Sequence, residues 1–271
     1  MSLTLILVTG ASGRLATAIL EHLAKAGAAA TGATRNPNSQ SQHRHLDFDA
    51  PETISFEGVE TLVLVSAGTE EDDVVITRHN NAITAAERDG VRHIIYTSLT
   101  DAGDHLGFAL AHRWTERRLR SGTTQWTILR NGLYAELIGQ LLTPQEGVIS
   151  APFGQGGVAA VARDDLAEAA AIIARSPEKH QSKTYDLVGN TVITAQDLAD
   201  RLGAEYRPGK LTELRQALNS ADLLPFQPAM LVSIHSATNH GFLEETGTDI
   251  AAILGRKPVN ALEIAVAAAT A

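Results

Sequence analysis

The chain has 271 residues, a formal net charge of −9, 44% hydrophobic and 20% charged residues, and no cysteine. Those totals suit one large domain or a domain with a smaller companion, and they exclude disulfides, thiolate nucleophiles and zinc–sulfur sites. The acidic balance argues against a nucleic-acid surface, which needs clustered cations. The densest basic stretch, Arg113, Arg117, Arg118 and Arg120, has Glu116 inside it and reads as the solvated face of a helix. No run approaches the roughly 20 apolar residues of a membrane span, and no basic leader precedes the first apolar stretch. A cytoplasmic protein that avoids membranes, a monomer or homodimer, is expected.

Leu3 to Thr9 is a short continuous apolar run, the pattern of a strand buried on both faces. Leu15, Ala18, Ile19 and Leu23 then recur at helical spacing up to Gly27. Ala28 to Thr34 predicts the next strand, His45 to Asp47 a short one, and Thr61 to Ser66 another buried one. A helix follows with an acidic start at Glu70 to Asp73, where carboxylates favour the positive helix end, and runs to Gly90. Arg92 to Ser98 predicts a fifth strand, Gly107 to Ser121 a helix, and Gln125 to Arg130 a sixth strand. Strands alternating with helices imply βαβ units and a Rossmann-like, doubly wound parallel sheet.

After Asn131 the rhythm breaks. Strand signals at Gly147 to Ser150 and Thr184 to Val188 mix with helices at Asp164 to Arg175, Ala195 to Leu202 and Thr212 to Asn219. The expected organisation is therefore an α/β cofactor domain over 1–131, with 156–190 returning a helix and a strand to it. A smaller, mostly helical C-terminal lobe over 132–155 and 191–271 would hold the acceptor.

The loop GASGRLA, from Gly10 to Ala16, falls between the first strand and the first helix. There the pyrophosphate of a dinucleotide meets backbone N–H groups and a helix N-terminus. Gly10 permits the tight turn, Gly13 lets the phosphates approach, and Ala16 allows close helix–strand packing. A bare turn is the plainer alternative, but the place after the first strand of a βαβ series favours the nucleotide. A P-loop is excluded because no Gly-Lys-Ser/Thr follows. The end of the second strand reads TGATRNP, without the carboxylate that selects NAD. Arg35 stands there instead, suited to a 2′-phosphate, with Arg14 as a second cation. NADP(H) is the expected cofactor. His43 with His45, and His235 with His240, lack a carboxylate partner at ligand spacing, so no metal is expected.

The runs VTGASGRLA, ATRNP, LDFD, GVRHIIYTSL and WTILRNGLYAE, with ARDDLAEAA and KTYDLVGN later, resemble the NmrA-like atypical short-chain dehydrogenase/reductases. Within that family the likeness is to a branch of bacterial NADPH:quinone reductases. The resemblance implies that Gly10, Ala11, Ser12, Gly13, Arg14 and Leu15 hold the pyrophosphate and Arg35 the 2′-phosphate. It also implies that Asp47 and Phe48 border the adenine and that Ser66, Ala67 and Gly68 line the path to the nicotinamide. Asn131, Gly132, Leu133, Tyr134, Ala135 and Glu136 would pass over the nicotinamide end, with Asn131 and Tyr134 toward the acceptor. The rival role for Tyr134 is a plug between lobes.

Standard members of the superfamily carry a Tyr-x-x-x-Lys pair that protonates a carbonyl. Aligned through Glu116, this chain has Phe108 and His112 there, so an ordinary ketone reductase is not expected. His112 either touches the acceptor or is a locally hydrogen-bonded helix residue, and no catalytic residue is assigned. Tyr96 and Ser98 lie at the ligand end of the fifth strand, although a strand tyrosine more often belongs to the core. Two outcomes fit. The chain passes hydride from NADPH to a quinone or similar flat conjugated acceptor, or it is a catalytically silent NADP(H)-binding redox sensor. An isomerase or lyase with a structural cofactor is a third class.

Overall fold

The computed structural model describes residues 5–37, 43–67 and 70–271. In chain order the elements are β1 (Ile6–Thr9), α1 (Arg14–Lys25), β2 (Ala30–Thr34), β3 (Arg44–His45), β4 (Thr61–Leu64), α2 (Asp72–Arg88) and β5 (His93–Leu99). They continue with α3 (Ala109–Arg120), β6 (Gln125–Asn131), α4 (Ala135–Leu141), β7 (Val148–Ala151), β8 (Gly157–Val158), α5 (Arg163–Ala174) and β9 (Lys183–Leu187). The rest is β10 (Ile193–Thr194), α6 (Ala195–Leu202), β11 (Glu205–Pro208), α7 (Leu211–Asn219), α8 (Gln227–Asn239), α9 (Asp249–Leu254) and α10 (Ala261–Ala269).

The sheet has seven parallel strands in the order β3-β2-β1-β4-β5-β6-β9. Every residue of β1, β4 and β5 is buried, as expected for parallel strands covered by helices on both faces. The chain runs outward from β1 to β3 and then jumps back to β4 beside β1, so the strand order reverses between β1 and β4. In such a sheet a crevice opens at the carboxyl ends of those two strands. Their ends are tied there: the Val65 N–H donates to Thr9 Oγ1 at 3.0 Å. In α1, Leu15, Ala16, Ile19 and Leu23 are buried, one face of a 3.6-residue repeat.

Packing divides the chain into two units. The first comprises the residues up to Ser98, Leu110–Arg130 and Leu166–Tyr185; its core includes Leu7, Phe56, Leu62, Leu64, Ile83, Ile94, Tyr96 and Ile128. Full burial of each such aliphatic or aromatic side chain stabilises the fold by roughly 1.5–3 kcal/mol. The second comprises Leu99–Ala109, Asn131–Asp165 and Asp186–Ala271, around a core with Leu106, Ile138, Phe153, Leu198, Ile234 and Leu243. Leu99–Ala109, Asn131, 156–165 and 186–190 pack with the second unit, where the sequence reading groups them with the cofactor domain.

Several elements differ from expectation. The strand from Leu3 begins at Ile6, and Leu3 itself lies outside the described residues. The short strand expected at His45 to Asp47 is Arg44–His45, because Asp47 turns the chain by accepting the Asp49 N–H at 3.0 Å. The sequence reading places no helix directly after Asn131, yet α4 starts at Ala135 and packs in its unit against α10. Two small sheets, β8 with β10 and β7 with β11, complete that unit. A capping box at Thr194 and Asp197 starts α6, worth about 1 kcal/mol. No helix among the described residues is long and apolar enough to cross a membrane.

Candidate functional site

The loop from β1 into α1 is shaped by small residues. Gly10 has φ +66°, a left-handed conformation that glycine adopts without strain. Gly13 is the N-cap of α1 and offers no side chain to the first-turn amides. From the other side, Gly32 of β2 lets the loop lie close, because a Cβ there would stand 2.6 Å from Ala11 Cβ. Ala11 and Leu15 bury their side chains, so they present only backbone to a ligand, whereas Ser12, Gly13 and Arg14 are exposed.

Thr9, Gly10, Ser12, Thr34, Arg35, Leu46, Phe48, Ser66 and Ala67 line a cavity of about 150 Å³ at the switch point. Of the residues expected at the cofactor, Gly10, Ser12, Arg35, Phe48, Ser66 and Ala67 are thus brought together. Asp47 is not in this lining; Phe48 is. Gly68 lies outside the described residues. The cradle fits a dinucleotide: a wall of Leu46 and Phe48 suits an adenine, exposed loop amides suit a diphosphate, and the guanidinium of Arg35 suits an extra phosphate.

Two residues of α2, one in this wall and one in the core behind it, escaped the sequence reading. Arg78 lines the cavity and is held by Asp49. His79 is fully buried; its Nε2 accepts the Ala67 N–H at 3.0 Å. The ring proton is therefore on Nδ1, which donates to Thr115 Oγ1 at 2.9 Å, and that hydroxyl donates to the Ala111 carbonyl. The Ser66 N–H donates in turn to Thr97 Oγ1 at 3.0 Å. These bonds fix the loop after β4. The spacing of Val75, His79, Ala82 and Ala86 puts His79 on the buried face of α2, a signal present in the sequence.

Burial holds the His79 imidazole down to about 3, so it is neutral near pH 7. An unfolded histidine takes a proton below about 6.5, so the unfolded state binds more protons than the native one as the pH falls. The contribution of this ring is fully present above pH 6.5 and is expected to decline by up to about 1.4 kcal/mol per pH unit below it. Urea melts at pH 7 and pH 5 measure this. The decline should be shallower in His79→Gln, and an unchanged slope would count against a buried neutral ring.

The position expected for an acid–base pair is occupied differently. Phe108, just ahead of α3, packs with the apolar core of the second unit. His112 of α3 is half-buried in the first unit, its Nδ1 2.9 Å from the Tyr96 hydroxyl. Burial lowers His112 to about 4 and raises the Tyr96 phenol. Tyr96 is fully buried, a core residue with a satisfied hydroxyl rather than a proton donor to a ligand. Ser98 donates to the buried Glu116 at 2.7 Å, and Glu116 also takes Arg130 and Arg113. The basic stretch is thus only partly solvated: Arg113 and Arg120 turn to Glu116, and Arg118 turns to Glu87.

In the second unit, residues 131–134 form an extended segment running into α4, whose first turn holds Ala135 and Glu136. The Gly132 N–H donates to the Leu187 carbonyl, the Val161 N–H to Leu133, and the Ala135 N–H to Val161. Tyr134 has the Arg163 guanidinium over its ring at 4.8 Å, and burial raises its phenol. Glu136 accepts the Arg163 N–H at 3.2 Å. The Asn131 side-chain oxygen is buried without a hydrogen-bond partner among the described residues, a state that normally calls for a ligand or water.

A doubly wound parallel sheet with a glycine loop, an uncapped helix and a cavity at its switch point defines a dinucleotide-binding protein. The chain belongs to the NAD(P)H-binding, NmrA-like family: the model of a family described as NAD(P)H-binding matches residues 10–177. It is 31% identical to quinone oxidoreductase 2 of Escherichia coli, over 93% of this chain and 94% of that one. Two solved structures are similar along almost their whole length. A Citrobacter triphenylmethane reductase complexed with NADP(H) has 28% identity and a TM-score of 0.86, covering 97% of this chain and 99% of its own. An NADPH-dependent quinone oxidoreductase of Escherichia coli complexed with NADPH has 28% identity and a TM-score of 0.85, covering 96% and 98%.

Proposed function

We propose that this chain is an NADPH-dependent oxidoreductase that reduces quinones or similar flat conjugated acceptors. The observation that carries the reading is an adenosine cavity armed with Arg35, together with Phe108 just ahead of α3 and His112 within it, where an acid–base pair would stand. Gly10 to Leu15 hold the diphosphate through backbone amides, and Arg35 takes the 2′-phosphate. The loop at Ser66 and Ala67, anchored by His79, lies on the path to the nicotinamide half. NADPH, when bound, supplies a hydride. A quinone that accepts hydride becomes a hydroquinone anion with its charge spread over the ring, so solvent completes the protonation and no tyrosine donor is needed. Catalysis is then mainly the positioning of two flat rings. The full-length likeness to quinone oxidoreductase 2 supports the same reading.

Steady NADPH oxidation on adding a benzoquinone or naphthoquinone is the expected result in a spectrophotometric assay. Tight cofactor binding with no turnover across an acceptor panel would replace the enzyme with a redox sensor. Conversion of a substrate without net cofactor oxidation would point to an isomerase or lyase. Arg35→Ala should weaken NADPH by roughly tenfold or more while NADH changes little, because one charge-assisted contact to phosphate is lost. Equal losses for both cofactors would remove Arg35 from the 2′-phosphate.

A further inference from the structure

The cavity contains a second guanidinium that the resemblance does not assign. Arg78 of α2 lines it, with its side chain 11% exposed, whereas the Arg35 side chain is 59% exposed. The two reach it from different elements, α2 and the end of β2, and they converge on one oxygen. Arg78 holds Asp49 through two bonds of 2.7 Å, one of them to Oδ2, and Arg35 Nη1 lies 3.9 Å from the same Oδ2. Glu70 approaches Arg78 at 3.9 Å. The Asn81 side chain donates to the Phe48 carbonyl at 2.9 Å, which ties α2 to the turn bearing Asp49.

We propose that Arg78 is a second specificity-determining cation of the adenosine site, and that Asp49 is the residue that positions it. The inference rests on reading this cavity as the site of the adenosine 2′-phosphate. Arg35 is solvated and must lose side-chain freedom to grip a phosphate. Arg78 is already fixed by a planar two-bond clamp, so its contribution carries little ordering cost. Because both guanidiniums meet one Asp49 oxygen, a phosphate taken by Arg35 falls within the field of Arg78. Asp49 has a second effect: its negative charge partly cancels the two cations, so the site tolerates NADH more than a pair of bare arginines would.

The test measures binding, by calorimetric or fluorescence titration of the full-length protein with NADPH, NADH, 2′,5′-ADP and 5′-AMP. Arg78→Gln should weaken NADPH and 2′,5′-ADP by roughly tenfold while changing NADH and 5′-AMP less than about twofold. Arg78→Lys keeps the charge without the clamp and should retain most of the preference. Asp49→Asn keeps an acceptor for Arg78 but removes the opposing charge, and should tighten 2′,5′-ADP several-fold with 5′-AMP unchanged. Equal weakening of all four ligands by Arg78→Gln, or a Lys variant as impaired as Gln, would make Arg78 a structural clamp and overturn the proposal. Failure of the parent protein to bind any adenosine ligand would instead overturn the reading of the cavity itself.

Discussion

Replacing Gly13 with aspartate is expected to weaken NADPH and NADH alike by about a hundredfold or more, close to 3 kcal/mol, while the fold stays within about 1 kcal/mol of the parent. The two halves of this result have one origin. Gly13 is the N-cap of α1 with φ −89° and ψ 152°, an ordinary extended conformation open to any residue. Aspartate is among the best N-caps, so its carboxylate takes the first-turn amides and offsets the small shift needed where the new Cβ meets the Gly10 carbonyl at 3.2 Å. Those amides are the groups a diphosphate would use, and the added negative charge repels it. Thermal melting and cofactor titration on the same preparation separate the effects. Retained affinity in a folded variant would show that no diphosphate rests on this helix.

Glu116→Ala is expected to lower stability by about 3 kcal/mol, a melting point roughly 6–12 °C lower. The Glu116 side chain is 1% exposed and accepts Arg130 at 2.9 and 2.7 Å, Arg113 at 3.1 Å and Ser98 at 2.7 Å. Removing it leaves those donors facing a cavity, and Arg130 is itself largely buried at 15% exposure. Burial by itself would raise the Glu116 carboxyl, but the Arg130 and Ser98 bonds outweigh it and hold the group below its usual range. The contribution is therefore present above the ordinary carboxylate range and is lost as the pH falls through the lowered native value. The gap between parent and variant, read from denaturant melts, should narrow on acidification. A constant gap from pH 7 to pH 3 would mean that the carboxylate charge adds nothing.

Much of the fold was legible because its signals are local. A run with an unbroken apolar centre such as TLVLVS is suited to burial on both faces, and Leu15, Ile19 and Leu23 share a helical stripe. The glycine loop was legible for the same reason: Gly10 and Gly13 occupy one turn, and their spacing already describes its shape. Helix α4 was hidden because NGLYAELIG begins with turn residues, and its stability comes from α10, more than a hundred residues away in the chain. The small strands β8 and β10 have two residues each, too few for any period to register.

The amino-acid sequence by itself determined the alternation of strands and helices, the loop that opens the crevice, the replacement of a carboxylate by Arg35, and the presence of Phe108 and His112 where an acid–base pair would stand. The tertiary structure alone decided which polar residues face the cavity. Arg78 and His79 are neighbours on one helix turn, yet one lines the cavity on an Asp49 clamp and the other lies in the core supporting Ala67. Likewise, Tyr96 meets His112 only because β5 and α3 pack together. Backbone periodicity is written in adjacent residues. The direction and partner of a buried polar side chain depend on which distant segments supply its hydrogen bonds, and those meet only once the sheet has closed around them.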